Sequence, residues 1–291
     1  MKIMKKFKNS DNAVVGIVAS FLIIGLIVAV ISVIQTQYVP KWMKEKEAEH
    51  MDELADQFAQ LKYAIDTHST NKRINTPIST TITLGSKEMP YLMSVRAFGQ
   101  LKILTDQFNI TVTKNDSTSF TYDAGVIQYK SYNSYFINQD YIYECGGVII
   151  SQSSGNAMYI KPYFWVKNEK NVTIFLNMIN ITTIGNKGQS IHGYGPAPIQ
   201  TEYLETIKPA PILNVSNITI HTDYTNAWHS FLNSTFIKAG LNYAGYGTDY
   251  SIDVNDRKIF VEFHDTITVN LELEYNKIAA QIAPGWIENR N

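Results

Sequence analysis

The sequence predicts an α+β, mainly β protein: an N-terminal transmembrane helix, a helical stem, and a β-rich, sandwich-like extracellular domain with one packed helix. Three observations predict it. An uncharged apolar run extends from Ala13 to Ile34 behind a cluster of lysines, and nothing comparable recurs in the 291 residues. An apolar stripe with spacings of three and four follows it. Beyond about residue 77 the period changes to two, with β-branched and aromatic residues bounded by turn formers.

Residues 1–12 form a basic leader carrying Lys2, Lys5, Lys6 and Lys8, and the positive-inside bias places it in the cytoplasm. Residues 13–34 are long enough to span a bilayer core. A cleaved signal peptide is the competing reading. Its apolar stretch is shorter, about 7–15 residues, and ends at a small-residue site. This run instead continues into Gln35-Thr36-Gln37-Tyr38 and Trp42 without an Ala-x-Ala site, and Tyr38 and Trp42 suit the aromatic belt at a membrane surface. Cleavage within Asn9–Asn12 would leave the anchor attached. Gly16 with Ser20, and Gly25 with Ala29, give the anchor small-residue faces compatible with self-association. The expected location is the cell membrane, with the C-terminal domain outside.

Residues 35–67 read as an amphipathic stem. Pro40 either starts a second helix or kinks a continuous one. Met51, Leu54, Phe58, Leu61 and Ile65 form the stripe, while Lys44, Glu45, Glu47, Glu49, Asp52, Glu53 and Asp56 occupy the other faces. The stripe packs either on the chain's own domain or on neighbouring subunits. Residues 68–77 are a polar linker with Asn71, Asn75 and Pro77.

Residues 78–291 form the β-rich domain. Strands are expected at Thr80–Leu84, Asn109–Thr113, Ser119–Asp123, Val126–Lys130, Tyr141–Glu144, Val148–Ser151, Met158–Val166, Val172–Thr183 and Asn214–His221. Gly125 and Gly146-Gly147 are expected to mark turns. A helix near residues 225–239 has Thr225 as its cap, an apolar face of Trp228, Phe231, Leu232 and Phe236, and Gly240 as its stop. Strands resume at Tyr250–Val254 and Lys258–His264, and a last one at Thr266–Ala280 alternates at Ile267, Val269, Leu271, Leu273 and Tyr275.

The net charge of −1 carries no basic excess, which argues against a nucleic-acid partner. Cys145 is alone, so it is a buried apolar residue or an intermolecular link. Glycosylation sequons stand at Asn109, Asn115, Asn171, Asn180, Asn214, Asn217 and Asn233, all beyond the anchor. No catalytic or phosphate-binding motif occurs. His50, His68, His192, His221, His229 and His264 show no metal-ligand spacing with a carboxylate on a shared face. His221, Asp223 and His229 are near enough in sequence to meet, but ordinary surface or rim positions are the favoured reading of them. Gly193-Tyr194-Gly195-Pro196 and Gly245-Tyr246-Gly247 read as loops. No catalytic residue, cofactor or metal is expected, and an anchored hydrolase remains only as an alternative with a site assembled from distant residues.

The lysine-rich leader with Asn12-Ala13-Val14-Val15-Gly16 and a single apolar helix resembles archaeal class III signal sequences of type IV pilin-like proteins. The resemblance extends to uncharacterised pilin-like surface proteins of archaea, especially methanogens. It runs through Ile34-Gln35 to Trp42, Leu61–Asp66, Tyr143-Glu144, Gly147–Gln152, Ala227-Trp228, Ala239–Leu241 and Gly247–Tyr250. Unlike bacterial-type pilins, the chain has no glutamate at the start of its apolar run. The resemblance implies a membrane-anchored envelope protein with a β-rich ectodomain and brings no established activity or catalytic residues. The function expected is a non-enzymatic one, with self-association through anchor or stem helix compatible with it. The alternative is an anchored ectodomain that binds a surface glycan or envelope protein without forming filaments.

Overall fold

The computed structural model describes residues 10–86, 97–183, 188–243 and 248–282, with side chains from Val14 onward. Its first feature is one long helix. Helix α1 (Ser10–Val33) passes through a π segment (Ile34–Tyr38) into α2 (Val39–Asn71). At 1.5 Å per residue, the 58 residues from Val14 to Asn71 reach about 87 Å. The π segment accommodates Pro40, which lies in the first turn of α2 and has no N–H to give. The Val39 N–H bonds back to the Ile34 carbonyl, five residues earlier, so the chain neither stops nor loses its direction.

The two halves of this helix differ completely. Helix α1 is exposed all round, with Phe21 and Leu22 each at 70 %, and is long and apolar enough to cross a membrane. From Val14 onward the hydroxyls of α1 and the π segment are satisfied internally: Ser20 donates to Gly16 O, Ser32 to Val28 O and Thr36 to Ser32 O, at 2.7–2.8 Å. Helix α2 is embedded in the β-structure. Its buried stripe starts at Val39 and Met43, continues through Glu47, His50 and Met51, and ends at His68 and Ser69. The helix therefore continues four residues past the expected start of the linker.

Among the described residues the rest consists of fourteen strands and one further helix: β1 Ile78–Thr83, β2 Phe98–Lys114, β3 Ser119–Tyr132, β4 Gln139–Glu144, β5 Gly147–Gln152, β6 Gly155–Ile160, β7 Phe164–Asn168, β8 Val172–Thr183, β9 Gln189–Gly193, β10 Pro196–Ile207, β11 Val215–His221, α3 Thr225–Lys238, β12 Tyr250–Asn255, β13 Lys258–Phe263 and β14 Val269–Ile282. They form two curled sheets. The five-stranded sheet runs β1-β10-β14-β8-β7, antiparallel except for the parallel pair β14–β8. The nine-stranded sheet runs β12-β13-β11-β2-β3-β4-β5-β6, with β9 also paired to β2.

Two cores lie on opposite faces of these strands. In β14, Val269, Leu271, Leu273 and Tyr275 join the core around α3, whereas Ile278, Ala280 and Ile282 join the core around α2. The buried parity changes from odd to even halfway along. Strand β2 does the same, with Leu101 and Ile103 in the α2 core and Phe108, Ile110 and Val112 in the α3 core. Alternate residues point to opposite faces, so each long strand serves one core and then the other.

Several elements differ from the sequence expectation. Gly125 is no turn; it lies inside β3, opposite a bulge between Leu104 and Phe108 of β2. Its place is fixed by a close crossing, because a Cβ there would stand 2.1 Å from the Ile181 carbonyl oxygen of β8. Gly125→Ala should therefore lower stability by about 3 kcal/mol through overpacking against a backbone atom. Thermal unfolding checks this, and an unchanged melting temperature would refute it. Cys145-Gly146, both with positive φ (49° and 84°), form the two-residue turn of the β4–β5 hairpin. The expected strand Met158–Val166 splits at Pro162 into β6 and β7, which belong to different sheets. Strand β10 carries Pro196 and Pro198. Both precede Ile199, where pairing to β14 begins, so each has one neighbouring strand to satisfy.

Thr225 does not cap α3 through its side chain; it is the first helical residue. The Ala227 N–H is instead taken by Asn156 Oδ1 from β6 at 2.8 Å. Gly240 ends the helix as expected, with φ at 82° and the paired bonds Gly240 N to Ile237 O and Leu241 N to Phe236 O.

Candidate functional site

The stem stripe lies inside its own domain. Met51, Leu54, Phe58, Leu61 and Ile65 are each at most 1 % exposed, packed against residues of both sheets. Polar groups lock the same helix face. Glu47, fully buried, accepts the backbone N–H groups of Ser134, Tyr135 and Phe136 at 3.0, 2.7 and 2.6 Å. Such charge-assisted bonds are about twice as strong as neutral ones. Tyr141 donates to the Met51 carbonyl at 2.8 Å, and His68 Nε2 donates to the Thr201 carbonyl at 3.0 Å. Gln57 holds edge strand β1 by accepting the Thr83 N–H and donating to its hydroxyl.

The sequons are dispersed. Asn115, Asn171 and Asn214 are exposed, and Asn109, Asn217 and Asn233 are partly so. Asn180 is buried and committed on both sides: its Oδ1 accepts the Gly125 N–H, and its Nδ2 donates to the Tyr275 hydroxyl. That amide is not open to a glycan in the folded chain. His221 is exposed at the end of β11, Asp223 pairs with Arg257, and His229 lies on α3. The described residues hold no group of three or more side chains placed to ligate a metal. Gly193 ends β9 and Pro196 begins β10, so the first glycine loop is a corner between the sheets. Gly245-Tyr246-Gly247 and the leader lysines lie outside the described residues.

Two places hold unusual chemistry. The first is a buried acid at the end of β4. Glu144 Oε1 accepts the Thr222 hydroxyl at 2.7 Å and Trp228 Nε1–H at 2.6 Å. Burial pushes its carboxyl up to about 7 against both hydrogen bonds, which favour the charged form. Burial also pushes the adjacent Cys145 thiol far up, so it carries no thiolate at neutral pH.

The second is a hollow of about 450 Å³ at the end of α2. Thr70 forms one side, Lys208, Pro209 and Pro211 another, and β7, β8 and β14 the floor, with Tyr163, Trp165, Phe175, Glu272 and Glu274. The same face of the five-stranded sheet is covered by α2 further along, so the hollow opens where the helix stops. Trp165 and Phe175 are a cross-strand pair, stacked at 4.9 Å and 10°. Lys62, held by Asp66 at 2.8 Å, sits 4.9 Å over the Tyr163 ring. Glu274 takes ion pairs from both Lys72 and Lys208; burial opposes its charge, but the two ammonium groups prevail and hold its carboxyl below the usual range.

Sequence reasoning missed this hollow. The available signal was the aromatic excess of one short segment, where Tyr163 and Trp165 alternate with the inward Phe164 and Val166. A strand with aromatics on both parities has more than its core needs. The chain matches no protein-family model, no curated protein and no solved structure.

Proposed function

We propose that this chain is a non-enzymatic, pilin-like, membrane-anchored surface protein. In this reading α1 crosses the membrane with its N-terminus in the cytoplasm, and the two curled sheets form a sandwich-like domain outside the cell. The observation that carries it is the split character of one continuous helix. Its first half exposes apolar side chains on every side, and its second half is buried in the β-structure. An apolar surface of that size has to be covered by lipid or by like helices. Tyr38 and Trp42, with rings 5.8 Å apart and both exposed, lie at the junction, where an interfacial belt belongs. Protease added to intact cells should remove the domain beyond Tyr38. Full protection, in an envelope permeable to the protease, would reject the orientation.

A specific observation favours the narrower reading of an anchored binding domain without filaments. The five stripe residues are already buried by their own sheets, so the stripe is not open to a neighbour. Self-association then falls to α1 alone, through its small-residue faces.

A further inference from the structure

We propose that the hollow bounded by Thr70, Trp165, Phe175, Lys208 and Glu272 is a binding site for a neutral saccharide. The inference rests on the binding-domain reading above.

The argument begins with shape. A volume of about 450 Å³ lies in the range of small-ligand sites and accommodates one or two sugar rings. Its walls are preformed. Proline fixes its own backbone, and Pro209 and Pro211 stiffen one side, while the stacked Trp165–Phe175 pair makes a flat floor. Little ordering remains to be done when a ligand enters.

The chemistry then narrows the occupant. Trp165 is 51 % exposed although one of its faces is covered by Phe175. An exposed indole face is negative at its centre and attracts the weakly positive C–H groups on the flat side of a pyranose. The rim supplies the polar counterpart. Glu272 is exposed, with no hydrogen bond or ion pair to the described residues, and offers acceptor oxygens to ring hydroxyls. Lys208, 63 % exposed, keeps donors beyond its bond to Glu274. A purely apolar ligand would leave these groups unsatisfied.

Charge decides between the remaining classes. Lys72 and Lys208 balance Glu272 and Glu274, and Lys62 balances Asp66, so the site presents no net charge to draw in an ion. The face of Tyr163 that would serve a cationic ligand is already occupied by Lys62. Two carboxylates in one sugar site also invite a hydrolytic reading. Glycoside cleavage needs one of them kept protonated as the acid, and the two lysines hold Glu274 in the opposite state, which removes it from that role.

The test uses the full chain in phospholipid nanodiscs prepared without sugar detergents. Titration calorimetry is run with neutral hexasaccharides of glucose, mannose, galactose and N-acetylglucosamine, beside a galacturonate hexasaccharide and tetramethylammonium. Saturable binding of at least one neutral probe is expected below about 10 mM. Trp165→Ala should weaken it about tenfold or more, and Trp165→Phe much less. Unfolding temperature serves as the control for Trp165→Ala; if it falls, Glu272→Gln at an exposed carboxylate replaces that variant and should weaken binding severalfold. The proposal is overturned if no neutral probe saturates, if the galacturonate or the cation binds more tightly than every neutral sugar, or if both Trp165→Ala and Glu272→Gln bind as wild type. Binding in nanodiscs is independent of membrane orientation, so a failed topology experiment and a failed saccharide site are told apart.

Discussion

Changing Phe58 and Leu61 together to Ser is expected to remove most of the stability of the β-rich domain and to leave any oligomer formed through α1 intact. Both side chains are fully buried, and Phe58 stacks on Tyr141 at 5.5 Å. Truncating a buried Phe or Leu to a small residue costs about 2–5 kcal/mol each, transfer and cavity terms together. The pair therefore consumes a large share of the roughly 5–15 kcal/mol that holds a typical domain folded. The melting temperature should fall by about 10 °C or more. Cross-linking in membranes, compared between wild type and variant, is the second readout. Loss of cross-links with an unchanged melting temperature would mean that the stripe serves a neighbouring subunit, against the packing described above.

The second large effect is a dependence of stability on pH that belongs to Glu144. Its folded pKa is raised to about 7 from an ordinary 4.5, so the folded state holds a proton that the unfolded chain releases. The stabilisation is complete below pH 4.5 and is lost as the pH rises through about 7. The span corresponds to about 3 kcal/mol in order of magnitude. His50 and His68 act in the opposite sense. Burial lowers both, so their contribution is present above about 6.5 and is lost as the pH falls. Wild-type stability is thus pulled from both sides. Glu144→Gln keeps an acceptor for Thr222 and Trp228 but cannot ionise. Denaturant unfolding at pH 5 and pH 8 should show a decline in wild type that is markedly smaller in the variant, since the histidines are common to both. Equal declines would exclude Glu144 as their source.

What could be read from the sequence, and what could not, follows from how the buried faces are built. Helix α1 is legible because its side chains are apolar and exposed on every side. The stripe is legible only between Met51 and Ile65. Beyond it the same helix face carries Glu47, His50 and His68, which read as solvent-facing by residue type and are buried because loop amides and strand groups meet them. Strand β14 shows the corresponding limit for period two. Alternation holds from Val269 to Tyr275, then shifts face where α2 replaces α3 as the covering element. A switch of partner cannot be seen in a local window. Gly125 reads as a turn for a related reason, since the glycine answers to β8, more than fifty residues away, and not to its own neighbours. The aromatic hollow needs the β7–β8 hairpin, strand β14, a helix end and a proline segment brought together, and only the two hairpin strands are near each other in sequence.

The continuity of α1 and α2 also sets a length scale. From Tyr38 to Thr70 the helix rises about 48 Å. Glu47 ties the near end of that rise to the loop at Ser134–Phe136, and the stripe ties the remainder to both sheets, so the domain has no joint on which to swing beyond the π segment. With Tyr38 at the lipid surface and the helix upright, the hollow beside Thr70 stands about 48 Å out, several Debye lengths from the charged headgroups at physiological salt. The charge of a bilayer then does not bias its electrostatics. The core around α3 extends beyond the end of α2, so the continuous helix carries the hollow at mid-height of the domain and fixes its distance from the π segment.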